Sequence, residues 1–276
     1  MTQIFTLTLS PSLDSATTTP KIYPEGKLRC TAPIFEPGGG GINVARAVVY
    51  LGGQAHAIFP IGGPTGEHLK ELLDQEGIDT RTLKTQDWTR QNMHVHVDNS
   101  GEQYRFVMPG ARLSDAEFDL LVLQVQNIPS GSILVISGSL PPGTGIEKLV
   151  HLIQQAKAMG LQCIIDSSGD ALKASLDLGG LALVKPNQNE LSALIGRELE
   201  HPDDVRHAAK ELVNRGAAER AGRRATRRPG PRLRARAGRA LRRGRGRGRP
   251  PAGRRGRSAQ PPRAHPHDHP PGEPGR

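Results

Sequence analysis

"FEPGGGGINVARAVVYLGG" (residues 35–53) sets four consecutive glycines at the head of a helix-like apolar pattern. Glycine removes the Cβ and lets backbone N–H groups come close to a ligand, and a helix N-terminus favours an anion or a hydroxyl-rich partner. A nucleotide phosphate is the first candidate, and the spacing argues against it. A P-loop requires Gly-Lys-Ser/Thr after the run, and a dinucleotide fingerprint requires a third glycine where Asn43 or Val44 stands. Neither motif fits, so the bare backbone serves something other than a common nucleotide loop.

Outward from this helix the chain alternates short apolar runs with helical patterns. "IFTLTL" (4–9), "AHAIFPI" (55–61), "SILVIS" (132–137), "QCIID" (162–166) and "LALVK" (181–185) read as buried strands. Apolar periodicity and Gly/Pro punctuation predict helices over 42–51, 64–76, 114–126, 145–159, 168–177, 188–195 and 202–215. Such alternation predicts an α/β fold with a doubly wound, mostly parallel sheet. Two stretches break the pattern, residues 21–38 and 92–110. The second alternates around "DNSG", a hairpin turn signal, so both read as antiparallel strands of a small β flap outside the main sheet. A flap of this kind closes on substrate or pairs with a second copy of itself, because exposed strand edges seek partners. A homodimer through the flap is the resulting expectation.

Charge divides the chain in two. Residues 1–216 hold 18 Lys+Arg against 24 Asp+Glu, whereas residues 217–276 hold 19 Arg against 3 acids. The first part is long enough for one large domain. The second has no Val, Ile, Phe, Tyr, Trp, Met or Lys, and its Arg, Gly, Pro and Ala make up 49 of 60 residues, a composition that predicts disorder. Cys30 and Cys163 stand far apart and outside any metal-ligand spacing, so a structural disulfide is not expected. Neither a signal sequence nor an apolar run of membrane-spanning length is evident, which points to the cytosol and away from a membrane.

Ligands of open α/β sheets bind beyond the carboxyl ends of the strands, and those segments are polar here. Asp14 follows the first strand; its carboxylate suits sugar hydroxyls, or equally a helix cap or Asx turn. Ser139 follows the strand at 132–137, and "SSG" the strand at 162–166. "KPNQNE" (185–190) offers Lys185 at a strand end and Glu190 one helical turn after Asn187. Asn187 and Glu190 can jointly hold a hydrated Mg²⁺, or simply form a capped, solvated helix start.

"TLTLSPSLDSA", "PGGGGINVARA", "WTRQNMHVHV", "GEQYRFVMPGA", "ISGSLPPG" and "VKPNQNELSAL" together resemble the ribokinase-type (PfkB family) sugar kinases, within them the branch of minor bacterial ATP-dependent 6-phosphofructokinases. The resemblance runs in order over residues 1 to about 216. It implies a ribokinase-like fold and ATP-dependent, Mg²⁺-linked phosphorylation of fructose 6-phosphate at its 1-hydroxyl. It also implies that Gly39, Gly40 and Asn43 contact sugar hydroxyls alongside Asp14, with ATP at the other end of the site. Lys27, Arg29, Arg90 and Arg105 match positions that serve the 6-phosphate, which a forked guanidinium suits; otherwise they are a solvated flap surface. Ser139 matches a substrate-side residue, Lys185 and Asn187 match nucleotide-side residues, and Glu190 matches the Mg²⁺-linked acid.

The family's aspartate base and glycine anion hole come from one late motif, Gly-Ala-Gly-Asp, which these 276 residues do not contain. The C-terminal third of the fold is therefore expected to be missing, with no catalytic base to name and turnover absent or severely impaired. The resemblance stops near Gly216, where a β-branched strand is due and "AAERAGRRATRRPG" stands instead. Arg, Gly, Pro and Ala share codons that begin with two G/C bases, so the segment reads as an out-of-frame stretch of a G/C-rich gene. Two other functions remain open: a sugar-phosphate-binding pseudoenzyme, and non-specific nucleic-acid binding through "RRGRGRGR". His265, His267 and His269 alternate with Pro and Asp and read as incidental to any metal.

Overall fold

The computed structural model describes residues 2–214. The Arg-rich segment, with its predicted disorder, out-of-frame reading, histidines and nucleic-acid binding, lies outside the described residues. The chain runs β1 (Ile4–Leu7), β2 (Ser12–Thr19), β3 (Ile34–Gly38), α1 (Gly40–Tyr50), β4 (Ala55–Ile61), α2 (Gly63–Gln75), β5 (Asp79–Lys84), β6 (Arg90–Val97), β7 (Gln103–Phe106), α3 (Asp115–Gln126), β8 (Ile133–Ser137), α4 (Ile146–Ala158), β9 (Gln162–Asp166), α5 (Gly169–Asp177), β10 (Leu183–Val184), α6 (Gln188–Ile195) and α7 (Pro202–Asn214). No helix among the described residues is long and apolar enough to cross a membrane. Cys30 is exposed, Cys163 is buried, and both are free thiols.

Six strands form one parallel sheet in the order β10-β9-β8-β1-β4-β5. Side chains alternate between its faces, and both faces are apolar where helices cover them. Ala55, Ala57, Phe59 and Ile61 of β4 pack with Ile42, Leu69 and Leu73 of α1 and α2. Ile58 faces the other way, into a larger layer with Phe5, Leu7, Phe118, Leu134 and Leu152. The sheet is thus doubly wound, as the alternation predicts. Chain order runs outward from β1 through β4 to β5, then from β8 through β9 to β10, so the direction reverses between β1 and β8. That reversal is the position at which open α/β sheets bind ligands.

The flap is a second, four-stranded sheet in the order β3-β2-β6-β7, and two of its features depart from the sequence reading. Residues 12–19, to which the sequence reading assigned no strand, form the eight-residue strand β2; Pro11 separates it from β1, and its Thr17–Thr19 run favours extended backbone. Only Ile34–Gly38 of the stretch 21–38 is a strand. The strand in 21–38 runs antiparallel to β2, as expected, and β2 in turn pairs in parallel with β6 from Ser12↔Arg90 to Thr19↔Val97. Each leaves the carboxyl end of a main-sheet strand, β1 and β5, so both run outward in one direction. The hairpin around "DNSG" is present, with β6 and β7 antiparallel and paired from Met93↔Phe106 to His96↔Gln103.

Candidate active site

The first turn of α1 lies against the carboxyl ends of β1 and β8, and its glycines follow from that closeness. A Cβ on Gly40 would stand 2.7 Å from the Ser137 carbonyl carbon and 2.8 Å from the Gly138 nitrogen. One on Gly41 would stand 2.8 Å from the Leu7 carbonyl oxygen, and one on Gly38 2.5 Å from Asp14 Oδ2. Gly39, the helix N-cap, has φ 122°, a conformation that side chains disfavour. Backbone packing around the crevice therefore requires the run before any ligand does. The Ile42 amide donates to Thr8 Oγ1 at 2.9 Å, fixing the helix start to β1, and Asn43 stands exposed on the first turn.

Asp14 projects from β2 of the flap, and its bonds are those of a positioned side chain, not of a helix cap. Oδ1 accepts from Ser12 Oγ at 2.7 Å and from Asn92 Nδ2 at 2.8 Å. Asn92, 6% exposed, in turn accepts the Met108 N–H at 3.0 Å. Arg90 Nη1 donates to the Met108 carbonyl and Nη2 to the Ser10 carbonyl, each at 3.0 Å. Burial lowers the pKa of the Arg90 guanidinium below its ordinary value, and the charge of Asp14 opposes that shift. Arg90 Nε and Ser10 Oγ are buried without hydrogen-bond partners among the described residues. Buried polar atoms are rarely left so, which marks this corner as a place for a ligand or water.

A second cluster occupies the ends of β8, β9 and β10. Asp166 accepts from Ser137 Oγ at 3.0 Å and pairs with Lys185 Nζ at 2.7 Å. Ser139 is exposed and lines a small cavity with Leu9, Leu140 and Ser167. Asn187 caps α6 in a reciprocal box: its Oδ1 accepts the Glu190 N–H at 2.9 Å, and Glu190 Oε2 accepts the Asn187 N–H at 2.7 Å. Among the described residues no three His, Cys, Asp or Glu are arranged to hold a metal. The capping box leaves Glu190 Oε1 open, which suits a Mg²⁺ that keeps its waters and its substrate phosphates and takes a single protein carboxylate.

The expected residues thus fall into groups. Asp14, Gly39, Gly40 and Arg90 converge at the junction of flap and sheet, and Gly40 adjoins Ser137, which leads through Asp166 to Lys185. Lys27, Arg29 and Arg105 do not join either cluster through their side chains. Lys27 and Arg29 lie in the exposed segment between β2 and β3, and Arg105 on β7 donates to Gln103 Oε1 at 3.2 Å. Sequence reading missed Ser12, Gly38, Asn92, Ser137 and Asp166. The alternation in "RQNMHVHV" sets Asn92 on the row of Arg90, His94 and His96, opposite Met93, Val95 and Val97, so the strand period does not announce its burial.

Comparison with known proteins agrees with this geometry. The family model of pfkB family carbohydrate kinases matches residues 8–221. Over 218 residues the chain is 66% identical to ATP-dependent 6-phosphofructokinase isozyme 2 of Escherichia coli (strain K12), covering 79% of this chain and 71% of that protein. The isozyme 2 of Mycobacterium tuberculosis (strain ATCC 25618 / H37Rv) is 38% identical over 217 residues, 78% of this chain and 63% of that one. The chain thus spans between three fifths and three quarters of these relatives. Among solved structures, phosphofructokinase-2 from Escherichia coli in complex with fructose-6-phosphate superposes with TM-score 0.78 at 65% identity, covering 80% of this chain and 74% of that one. The tetrameric inhibited form of the same enzyme gives TM-score 0.75 at 67% identity, over 78% and 71% of the two chains. A doubly wound sheet, a flap carrying Asp14, and these matches along the same residues have one source: the chain belongs to the pfkB family of carbohydrate kinases.

Proposed function

We propose that residues 1–216 form a domain that binds fructose 6-phosphate as the acceptor of an ATP-dependent 6-phosphofructokinase, and that the 276-residue chain transfers phosphate poorly or not at all. The observation that carries the first half is the corner at Asp14 and Arg90. A carboxylate with a free oxygen stands beside a guanidinium with an unpartnered Nε, which suits a ligand bearing both hydroxyls and an anion. Asp14, Gly39, Gly40, Asn43 and Ser139 hold the sugar in this reading. Arg90, with Lys27, Arg29 and Arg105 swung in from the flap, holds the 6-phosphate. Lys185 and Asn187 face the nucleotide, and Glu190 helps to hold the Mg²⁺ that neutralises phosphate charge during transfer.

The second half rests on sequence: no Gly-Ala-Gly-Asp occurs in the chain, so no aspartate base or glycine anion hole of the family type is present. Ile34, Met93 and Phe106 are exposed on the flap, which supports pairing of two flaps in a homodimer. A cytoplasmic location accords with this reading. Titration calorimetry tests it: fructose 6-phosphate should bind, and Asp14→Ala should weaken binding about tenfold or more. Absence of binding by the unmodified chain would remove the sugar-phosphate reading. Binding without turnover when Mg²⁺ and ATP are added would favour a pseudoenzyme.

A further inference from the structure

We propose that Asn92 is the positioning residue of the sugar site: it fixes the Asp14 carboxylate and couples it to residue 108, so that both are placed together. The proposal rests on the sugar-phosphate reading above. Asn92 is almost completely buried on β6, where an amide is tolerated only if both ends are bonded. Both ends are bonded, and to opposite kinds of partner. Nδ2 donates to Asp14 Oδ1 at 2.8 Å, and Oδ1 accepts the Met108 N–H at 3.0 Å. A carboxylate needs a donor and a backbone N–H needs an acceptor, so the amide has only one orientation here.

No other side chain of this size meets both demands. Aspartate would set a second negative charge against Asp14, and leucine would leave the carboxylate with Ser12 alone and the Met108 amide unpaired. Ser12 also bonds Oδ1, which fills that oxygen's two lone pairs and leaves Oδ2 as the acceptor for a sugar hydroxyl. Gly38 keeps space beside Oδ2, since a Cβ there would stand 2.5 Å from it. Met108 is held at both backbone atoms, its N–H by Asn92 and its carbonyl by Arg90. The segment between β7 and α3 is therefore set by the two β6 residues that face Asp14. The other charged groups facing Asp14 are Arg90 itself and Glu36, its register partner on β3.

The near-isosteric Asn92→Asp tests the coupling, with Asn92→Leu as the uncharged control. Two carboxylates in contact share a proton in acid, so at about pH 5 Asn92→Asp should bind fructose 6-phosphate within about threefold of the unmodified chain. At about pH 8 both carboxylates ionise and the ratio should fall roughly ten- to a hundredfold, whereas Asn92→Leu should lose affinity at both values. A ligand-free measurement accompanies this. A carboxyl whose folded pKa is raised loses its stabilising contribution as pH rises, so the melting-temperature deficit of Asn92→Asp should be larger at about pH 8 than at about pH 5. Asp14→Asn with Asn92→Asp exchanges donor and acceptor between the two side chains and should repair the melting-temperature deficit at the higher pH. Binding by Asn92→Asp within about threefold of the unmodified chain at about pH 8 would overturn the proposal. So would a melting deficit that is equal at both pH values and not repaired by the double variant. If the unmodified chain binds no fructose 6-phosphate, the sugar reading fails, and the melting series still decides whether Asn92 positions Asp14.

Discussion

Around Asp14 the flap strands are tied together by backbone pairing and by side chains, whereas around Lys185 the main sheet ends, among the described residues, in a two-residue strand. On the first side, β2 pairs with β6 along its length and with β3 over residues 12–16, Asn92 and Arg90 bridge to residue 108, and Thr8 secures α1. On the second, β10 contributes only Leu183 and Val184, and its one partner among the described residues is β9. Ile164 and Leu183 are only half-buried on the face turned away from the larger core, while their neighbours Ile165 and Val184 are fully buried on the other. The side chains that bond Asp14 come from β2 and β6. The cluster at Lys185 lies at the edge of the sheet among the described residues, and the E. coli relative is matched over 71% of its length.

The largest effect should come from supplying that remainder. Joining the part of the E. coli relative beyond the aligned 218 residues after Gly216 should raise phosphofructokinase kcat by roughly 10⁴-fold or more. That figure combines a general base, typically ~10²–10⁴, with an anion-hole donor, typically ~10²–10³. A coupled assay at saturating fructose 6-phosphate and Mg²⁺-ATP measures it. Turnover by the 276-residue chain within about tenfold of the chimaera would end the contrast between a complete and an incomplete half.

A smaller effect separates the glycines of the two halves. Gly40→Ala brings a Cβ within 2.7 Å of backbone at Ser137, and backbone cannot rotate away as a side chain can. Overpacking of this kind costs about 1–3 kcal/mol, a fall in melting temperature of about 2–4 °C per kcal/mol for a chain of this size. Gly196→Ala, at the α6 C-cap with φ 75° and open space around it, strains only its own backbone and should cost about 1 kcal/mol. Differential scanning calorimetry of both variants sharpens the comparison. Equal losses would mean that the glycine run is not held by packing against β8.

The unequal legibility of the two sheets has the same physical origin. Main-sheet strands such as Ile133–Ser137 are buried on both faces and read as apolar runs, and helices such as α4 carry a clear 3.6-residue period. The flap strand β2 is "SLDSATTT", with one large apolar residue, so nothing apolar announced it. The edge strand β5, "DTRTLK", was missed for a similar reason, since an edge needs little burial. Among the candidate residues, Asp14 stood out as a carboxylate after a strand end, and Arg90 was named through the resemblance alone. Asn92 and Asp166 were not legible, because their work is to orient other side chains, and contacts 78 residues apart, such as Asn92 to Asp14, leave no local pattern.

The smallest expected effect concerns Asn187, for which cap and nucleotide-side residue were both open readings. Its reciprocal bonds with Glu190 make the cap a fact of the fold, so Asn187→Ala should cost about 1 kcal/mol, or about 2–4 °C in melting temperature. Asn187→Asp retains an oxygen that can accept the Glu190 N–H and should restore that stability. It also adds a negative charge beside the Glu190 carboxylate and beside any bound phosphates, where neutral asparagine adds none. Measured in the chimaera, a pure cap predicts that Asn187→Asp matches the unmodified protein in both melting temperature and KM for Mg²⁺-ATP. A residue that also faces the nucleotide should keep the melting temperature and raise that KM by about fivefold or more. The two clusters then differ in kind: side chains of β2 and β6 hold Asp14 across the flap, whereas at Asn187 an exposed cap holds the helix start, and the KM decides whether it also faces the nucleotide.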